Sequence, residues 1–157
     1  MTDRISPAER SALMSRIRGR DTEPEIAVRK TAHAAGFRYG LYRRDLPGTP
    51  DLVFSSRNAI VLVHGCFWHG HQGCPAATVP KTRAAYWIDK IEANRRRDQR
   101  KERQLRSLGW RVMVVWQCQT KDRRRLQGRL TRFLSVVTQP ARRSGRTIKF
   151  PRNPKQP

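Results

Sequence analysis

The apolar positions of this chain fall into a few short, dense runs separated by long polar stretches. Residues 59–63 (Ala-Ile-Val-Leu-Val) and 111–116 (Arg-Val-Met-Val-Val-Trp) are short and rich in β-branched residues, which predicts buried strands. Leu52-Val53-Phe54 is a third strand, joined to 59–63 by the hairpin turn Ser55-Ser56-Arg57-Asn58. The run 37–42, interrupted by Arg and Gly, is expected as a further short strand. Between them, Leu46-Pro47-Gly48-Thr49-Pro50-Asp51 reads as a turn whose prolines push Gly48-Thr49 toward extended geometry.

Helical signals alternate with these strands. A first helix starts at Asp21-Thr22-Glu23-Pro24-Glu25, where Asp21 or Thr22 can act as N-cap and Pro24 suits the first turn. The acidic residues there complement the positive helix end. Ile26, Val28, Ala32 and Ala35 supply its apolar face, and Gly36 is the stop. A long helix over 86–108 carries Trp87, Ile91, Leu105 and Leu108 and closes at Gly109, and a very basic helix follows at 122–137. Helices interleaved with strands in this order predict an α/β fold, a mixed sheet with helices packed on its faces. The expected organisation is a polar, Arg-rich arm at 1–20, one domain at 21–138, and a cationic, disordered tail at 139–157.

Charge narrows the partners. Lys and Arg number 34 against 12 Asp and Glu, a net charge of +22, which points to a polyanion and above all to nucleic acid. The N-terminal stretch has no apolar core of the kind export signals use, and no apolar run is long enough to span a bilayer. A cytoplasmic protein with reduced thiols is therefore expected. Its three cysteines then read as metal ligands rather than a disulfide framework.

Cys66, His71 and Cys74 are spaced C-x4-H-x2-C, and thiolate and imidazole are the ligands zinc prefers. Cys118, just past the strand ending at Trp116, would complete a four-ligand site if that strand lies beside 59–63. Such a closed site is structural. His69, at C-x2-H spacing from Cys66, could equally take the place of His71. Phosphodiester cleavage needs a separate cation on the phosphate and a base to activate water. Asp51 in its Pro-rich turn, Glu25, His64, His69 and, farther along, Asp98 are the available groups. His69 is the natural base, since an imidazole titrates near neutrality.

Taken together, Asp21-Thr22, Glu25, Leu46-Pro47-Gly48-Thr49-Pro50-Asp51 and His64-Gly65-Cys66-Phe67-Trp68-His69 resemble the very short patch repair (Vsr) endonucleases. The likeness continues through Trp87, Lys90, Asn94, Arg97-Asp98 and Leu108-Gly109-Trp110-Arg111-Val112, and so spans about residues 10–120. The resemblance implies a restriction-endonuclease-like fold that nicks DNA 5′ to the T of a T:G mismatch left by 5-methylcytosine deamination. It implies Asp51 and the backbone carbonyl of Val63 as magnesium ligands, His69 as the residue activating water, and Glu25 and His64 as holders of metal-bound waters. Cys66, His71, Cys74 and Cys118 match the family's zinc ligands, which selects His71 over His69. Position 63, commonly Thr in the family, is Val here; the carbonyl survives that exchange but a hydroxyl contact does not. The zinc loop also varies in length near Gln72-Gly73 within the family.

The resemblance further implies that Phe67, Trp68 and Trp87 wedge into the base stack and that Met14, on the N-terminal arm, enters from the minor groove. Lys90, Asn94 and Asp98 form one polar helix stripe, by default a solvated face; the resemblance implies that Lys90 and Asn94 contact DNA and that Asp98 orients a neighbour. Mismatch-repair proteins and a resynthesising polymerase are the implied partners of a monomer. Two other classes compete. A non-catalytic zinc module that binds nucleic acid leaves Glu25, Asp51 and His69 without work. A nucleobase deaminase would need His-x-Glu and Pro-Cys-x-x-Cys, and neither occurs.

Overall fold

The structure, a computed structural model, describes residues 6–16 and 19–136; the side chain of Met14 and the predicted tail at 139–157 lie outside the described residues. Its centre is a three-stranded mixed sheet in the order β1-β2-β3. β1 (Leu52–Phe54) and β2 (Ala59–His64) are antiparallel, joined by a single 3-10 turn and by Asn58 in the left-handed region at φ 49. β3 (Arg111–Trp116) runs parallel to β2, with Ala59 opposite Arg111 and His64 opposite Trp116.

Among the described residues, four α-helices surround the sheet. α1 (Pro7–Ser15) lies in the expected polar arm, for which no helix was predicted. Its signal is a capping box: Ser6 N–H donates to Glu9 Oε2 at 2.7 Å and Glu9 N–H to Ser6 Oγ at 3.2 Å. α2 (Glu23–Ala34) begins as expected, with Thr22 as N-cap accepting from Glu25 N–H. α3 (Ala84–Ser107) carries the chain from β2 across to the parallel β3, and α4 (Arg123–Ser135) is capped by Asp122.

Alternate strand residues point to opposite faces, so each face builds its own core. Leu52, Phe54, Ala59, Val61 and Val115 meet Val28 and Ala32 of α2 and Leu126, Leu130 and Leu134 of α4. Val53, Ile60, Leu62 and Val112 meet Leu105 of α3 and Trp110. Burial on both faces explains why the strands read as continuous apolar runs. The strand expected at 37–42 is instead one antiparallel bridge, Gly40 to Val53. Tyr42 stands at φ 52, a left-handed conformation that no strand can propagate. Among the described residues no helix is long and apolar enough to cross a membrane.

Candidate active site

Topology gathers the chemistry at one end of the sheet. Because β1 is antiparallel to β2, the residue preceding β1, Asp51, lies beside the end of β2, where Val63 and His64 sit. Because β3 is parallel, Trp116 and the turn carrying Cys118 arrive at the same end. A cleft of about 760 Å³ opens there, and Glu25, Asp51, Val63, His64, Trp68 and His69 line it.

Asp51 accepts a hydrogen bond from Val63 N–H at 2.8 Å. Burial pushes its carboxyl up from 3.8 to about 6, against the pull of the Val63 N–H, Arg29 and His69; neighbouring Glu25 adds to the rise. A carboxylate desolvated this far, with a second acid close by, is an arrangement that a bound cation would relieve. Glu25, 6 % exposed, is held by three donors: Thr22 Oγ1 at 2.9 Å, Asp21 N–H at 3.0 Å and Arg29 Nη2 at 3.0 Å. Arg29 also donates to Asp21 at 2.5 Å and to the Tyr42 hydroxyl at 2.9 Å, and that hydroxyl in turn donates to Asp21. Glu25 therefore faces the cleft as a rigid carboxylate. Asp21 (φ 54) and Tyr42 (φ 52) both hold left-handed backbone for this network.

The histidines form a second unit. His64 and His69 stack in parallel, ring centroids 4.2 Å apart, and His69 Nδ1 meets Asp98 Oδ2 at 2.5 Å. With Asp98 accepting at Nδ1–H, Nε2 of His69 is the nitrogen left to accept a proton. Burial favours the neutral Asp98, yet the bond from His69 and the electrostatic pull of the neighbouring histidines and Lys101 hold its carboxyl below the usual range. Burial drives His64 down to about 4, helped by the charge of His69, so it is neutral at pH 7.

Beyond His64 lies the cysteine cluster. The ligand atoms of Cys66, His71, Cys74 and Cys118 all lie within 4.8 Å of one another, with His71 Nδ1 at 3.6 Å from Cys66 Sγ and 3.4 Å from Cys118 Sγ. Burial and the adjacent Cys66 and Cys74 sulfurs push the Cys118 thiol up to about 11. Three sulfurs and one imidazole converging in this way fit a tetrahedral metal ion, whose charge would reverse that rise. His69 lies outside this cluster and is bonded to Asp98 instead. Trp116 joins the two units: it stacks on His71 at 4.2 Å and meets His64 edge-on at 5.4 Å.

Of the remaining expected residues, Met14 apart, Trp68 and Lys90 line the cleft, and Phe67, Trp87 and Asn94 contact Trp68. Phe67 and Trp68 form a T-shaped pair at 5.1 Å, backed by Trp87, which is only 7 % exposed. Asn94 Nδ2 donates to the Trp68 carbonyl at 2.9 Å, fixing the loop to α3, and Lys90 lines the cleft. Arg29, Tyr42 and Trp116 are among the site residues that sequence reasoning missed. Arg29 resembles any solvated helix cation in the sequence, and Trp116 reads as one more strand residue.

A desolvated carboxylate, an aspartate-oriented histidine and a strongly basic chain around one cleft define a hydrolase acting on a polyanion. The relatives of the chain narrow that class to a DNA-nicking endonuclease. The sequence model described as DNA mismatch endonuclease Vsr matches residues 2–76. Type II nicking enzyme V.XorIIP of Xanthomonas oryzae pv. oryzae is 56 % identical over 134 residues, 85 % of this chain and 98 % of that protein. Type II nicking enzyme V.NmeAIP of Neisseria meningitidis is 38 % identical over 137 residues (87 % and 97 %). DNA mismatch endonuclease Vsr of Escherichia coli (strain K12) is 38 % identical over 126 residues (80 % of each). The chain belongs to the DNA mismatch endonuclease Vsr family.

Proposed function

We propose that the protein is a magnesium-dependent endonuclease that nicks double-stranded DNA 5′ to the T of T:G mismatches arising from 5-methylcytosine deamination. The observation that carries the reading is the convergence of Asp51, Val63 and the Asp98-oriented His69 on one cleft. Asp51 and the Val63 carbonyl hold magnesium, which when bound neutralises charge on the phosphate oxygens. The geometry around Val63 supports this. Its N–H is bonded to the Asp51 side chain, and β1 begins only at Leu52, opposite Val61. In an extended strand the N–H and C=O of one residue point the same way, so the carbonyl also faces Asp51. His69 takes the proton of the attacking water at Nε2 while Asp98 holds the ring and balances its charge. Glu25 and His64, both rigidly held, orient waters around the same point.

Cys66, His71, Cys74 and Cys118 hold zinc as a structural ion, in a restriction-endonuclease-like fold. The loop they brace presents Phe67 and Trp68, with Trp87 behind, as the wedge that opens the mismatched step; Lys90 and Asn94 line its approach, and Met14 belongs to the opposite groove. Opening a mismatch costs less than opening a paired step, so wedging itself selects. The working unit is a monomer of a 21–138 domain with a DNA-contacting arm at 1–20 and a basic tail at 139–157. Mismatch-repair proteins and a DNA polymerase act with it. The test compares a duplex bearing one T:G mismatch with its matched counterpart, for wild type, Asp51→Ala and His69→Ala. Nicking confined to wild type on the mismatch supports the proposal; equal nicking of both duplexes would overturn the mismatch reading.

A further inference from the structure

Lys101 lies on α3, three residues past Asp98, and lines the same cleft as Asp51, His64 and His69. Its stem is laid across the turn that delivers Asp51. A Cβ built on Gly48 would stand 2.5 Å from Lys101 Cδ, 2.9 Å from Cγ and 3.1 Å from Cε. Gly48, at φ +74, thus supplies both the backbone conformation of the turn and the channel the lysine occupies. An exposed helix lysine ordinarily swings freely in water. This one is half-buried, its aliphatic stem fixed by packing before any ligand arrives.

Among the described residues the head group makes no ion pair; the carboxylate that feels its charge, Asp98, is itself bonded to His69. The ion pairs of α3 join Arg96 to Glu92, Arg106 to Glu102 and His69 to Asp98, and none of the described hydrogen bonds or ion pairs involves Lys101. Its charge nonetheless reaches His64 and Asp98 and lowers both. The cleft therefore holds an ammonium on a packed stem beside the histidine pair, tied up in no described hydrogen bond or ion pair. Each carboxylate of the cleft has a hydrogen-bond partner other than Lys101: Asp51 has Val63 N–H, Glu25 has Thr22, Asp21 and Arg29, and Asp98 has His69.

We propose that Lys101 is a further catalytic residue: its ammonium binds a non-bridging oxygen of the scissile phosphodiester. The proposal rests on the cleft being the phosphodiesterase site argued above. As the water oxygen bonds to phosphorus, one P–O ester bond breaks, the water's proton passes to His69 and the departing sugar oxygen is protonated from solvent. Lys101 exchanges no proton. Negative charge grows on the phosphoryl oxygens during this exchange, so a fixed cation lowers the barrier more than it tightens ground-state binding.

The experiment measures single-turnover nicking of a T:G duplex with magnesium, and duplex affinity in EDTA, for wild type, Lys101→Met and Lys101→Arg. Methionine keeps a stem over Gly48 and removes the charge, so its urea midpoint should match wild type; Lys101→Gln is the second neutral variant should methionine fail to fold. The expected result is a rate about 10- to 100-fold lower for the neutral variant, with affinity changed by less than about threefold, and recovery of most of that loss by arginine. A neutral variant within about twofold of the wild-type rate would overturn the proposal. So would a rate loss matched by an equal loss of affinity, which marks an ordinary backbone contact, or an arginine variant as slow as methionine. Failure of the underlying reading looks different, since wild type itself then leaves the duplex intact.

Discussion

Replacing Asp51 by Asn should stabilise the magnesium-free protein while abolishing its activity, and the gain should depend on pH. The native fold raises the Asp51 carboxyl from 3.8 to about 6, chiefly by burial. A group whose proton is held more tightly in the folded state favours folding below its unfolded pKa and costs stability as pH rises through the folded value. At 1.36 kcal/mol per pH unit the full penalty at pH 8 is about 3 kcal/mol, and the side that opens to the cleft reduces it to about 1–3 kcal/mol. Asparagine keeps an oxygen to accept the Val63 N–H and carries no charge to desolvate. Urea denaturation in EDTA should therefore show the variant more stable at pH 8, with the gain falling by about half at pH 5. Magnesium should then stabilise wild type and leave Asp51→Asn unmoved. A variant no more stable than wild type at pH 8, or a gain independent of pH, would refute the argument that function strains this carboxylate.

Other consequences follow from the same geometry. His64, held near 4 by burial, contributes stability above its unfolded pKa of 6.5 that is lost as pH falls toward 4. In the Asp51→Asn background, where the opposing carboxylate is gone, urea midpoints should fall on acidification from pH 7 to pH 5 more steeply than in wild type. Asp98→Asn removes the charge that orients and balances His69, and should lower single-turnover nicking by about 10²-fold with duplex affinity retained. Cys118→Ser should cost the bound metal, read by elemental analysis, and lower the thermal midpoint; unchanged metal content would remove Cys118 from the ligand set.

The legibility of this chain in its sequence depended on range. Local devices were readable because their partners are neighbours: Thr22 caps α2, Gly109 (φ 88) ends α3, and the apolar runs become β2 and β3. The capping box of Ser6 and Glu9 was equally local and went unread because the apolar period of the arm is weak. The Cys66-x4-His71-x2-Cys74 spacing carried its chemistry openly, and Cys118 could be added on the condition that its strand lies beside 59–63, which it does, in parallel. What hid were contacts made through the fold. The carboxylate that orients His69 lies 29 residues away on α3, and only its place in a polar stripe hinted at a partner. Tyr42 looked like the end of a strand, yet its left-handed backbone serves the Arg29 network around Glu25. Trp116, one residue in an apolar run, proves to be the wall between the cysteine cluster and the histidine pair.

The most direct test of the account labels each strand of a T:G duplex separately and maps the product ends with magnesium and with EDTA. The account predicts one nick, 5′ to the mismatched T, on that strand alone, dependent on magnesium and absent in Asp51→Ala. Cleavage of both strands, cleavage elsewhere, or full activity in EDTA would contradict it.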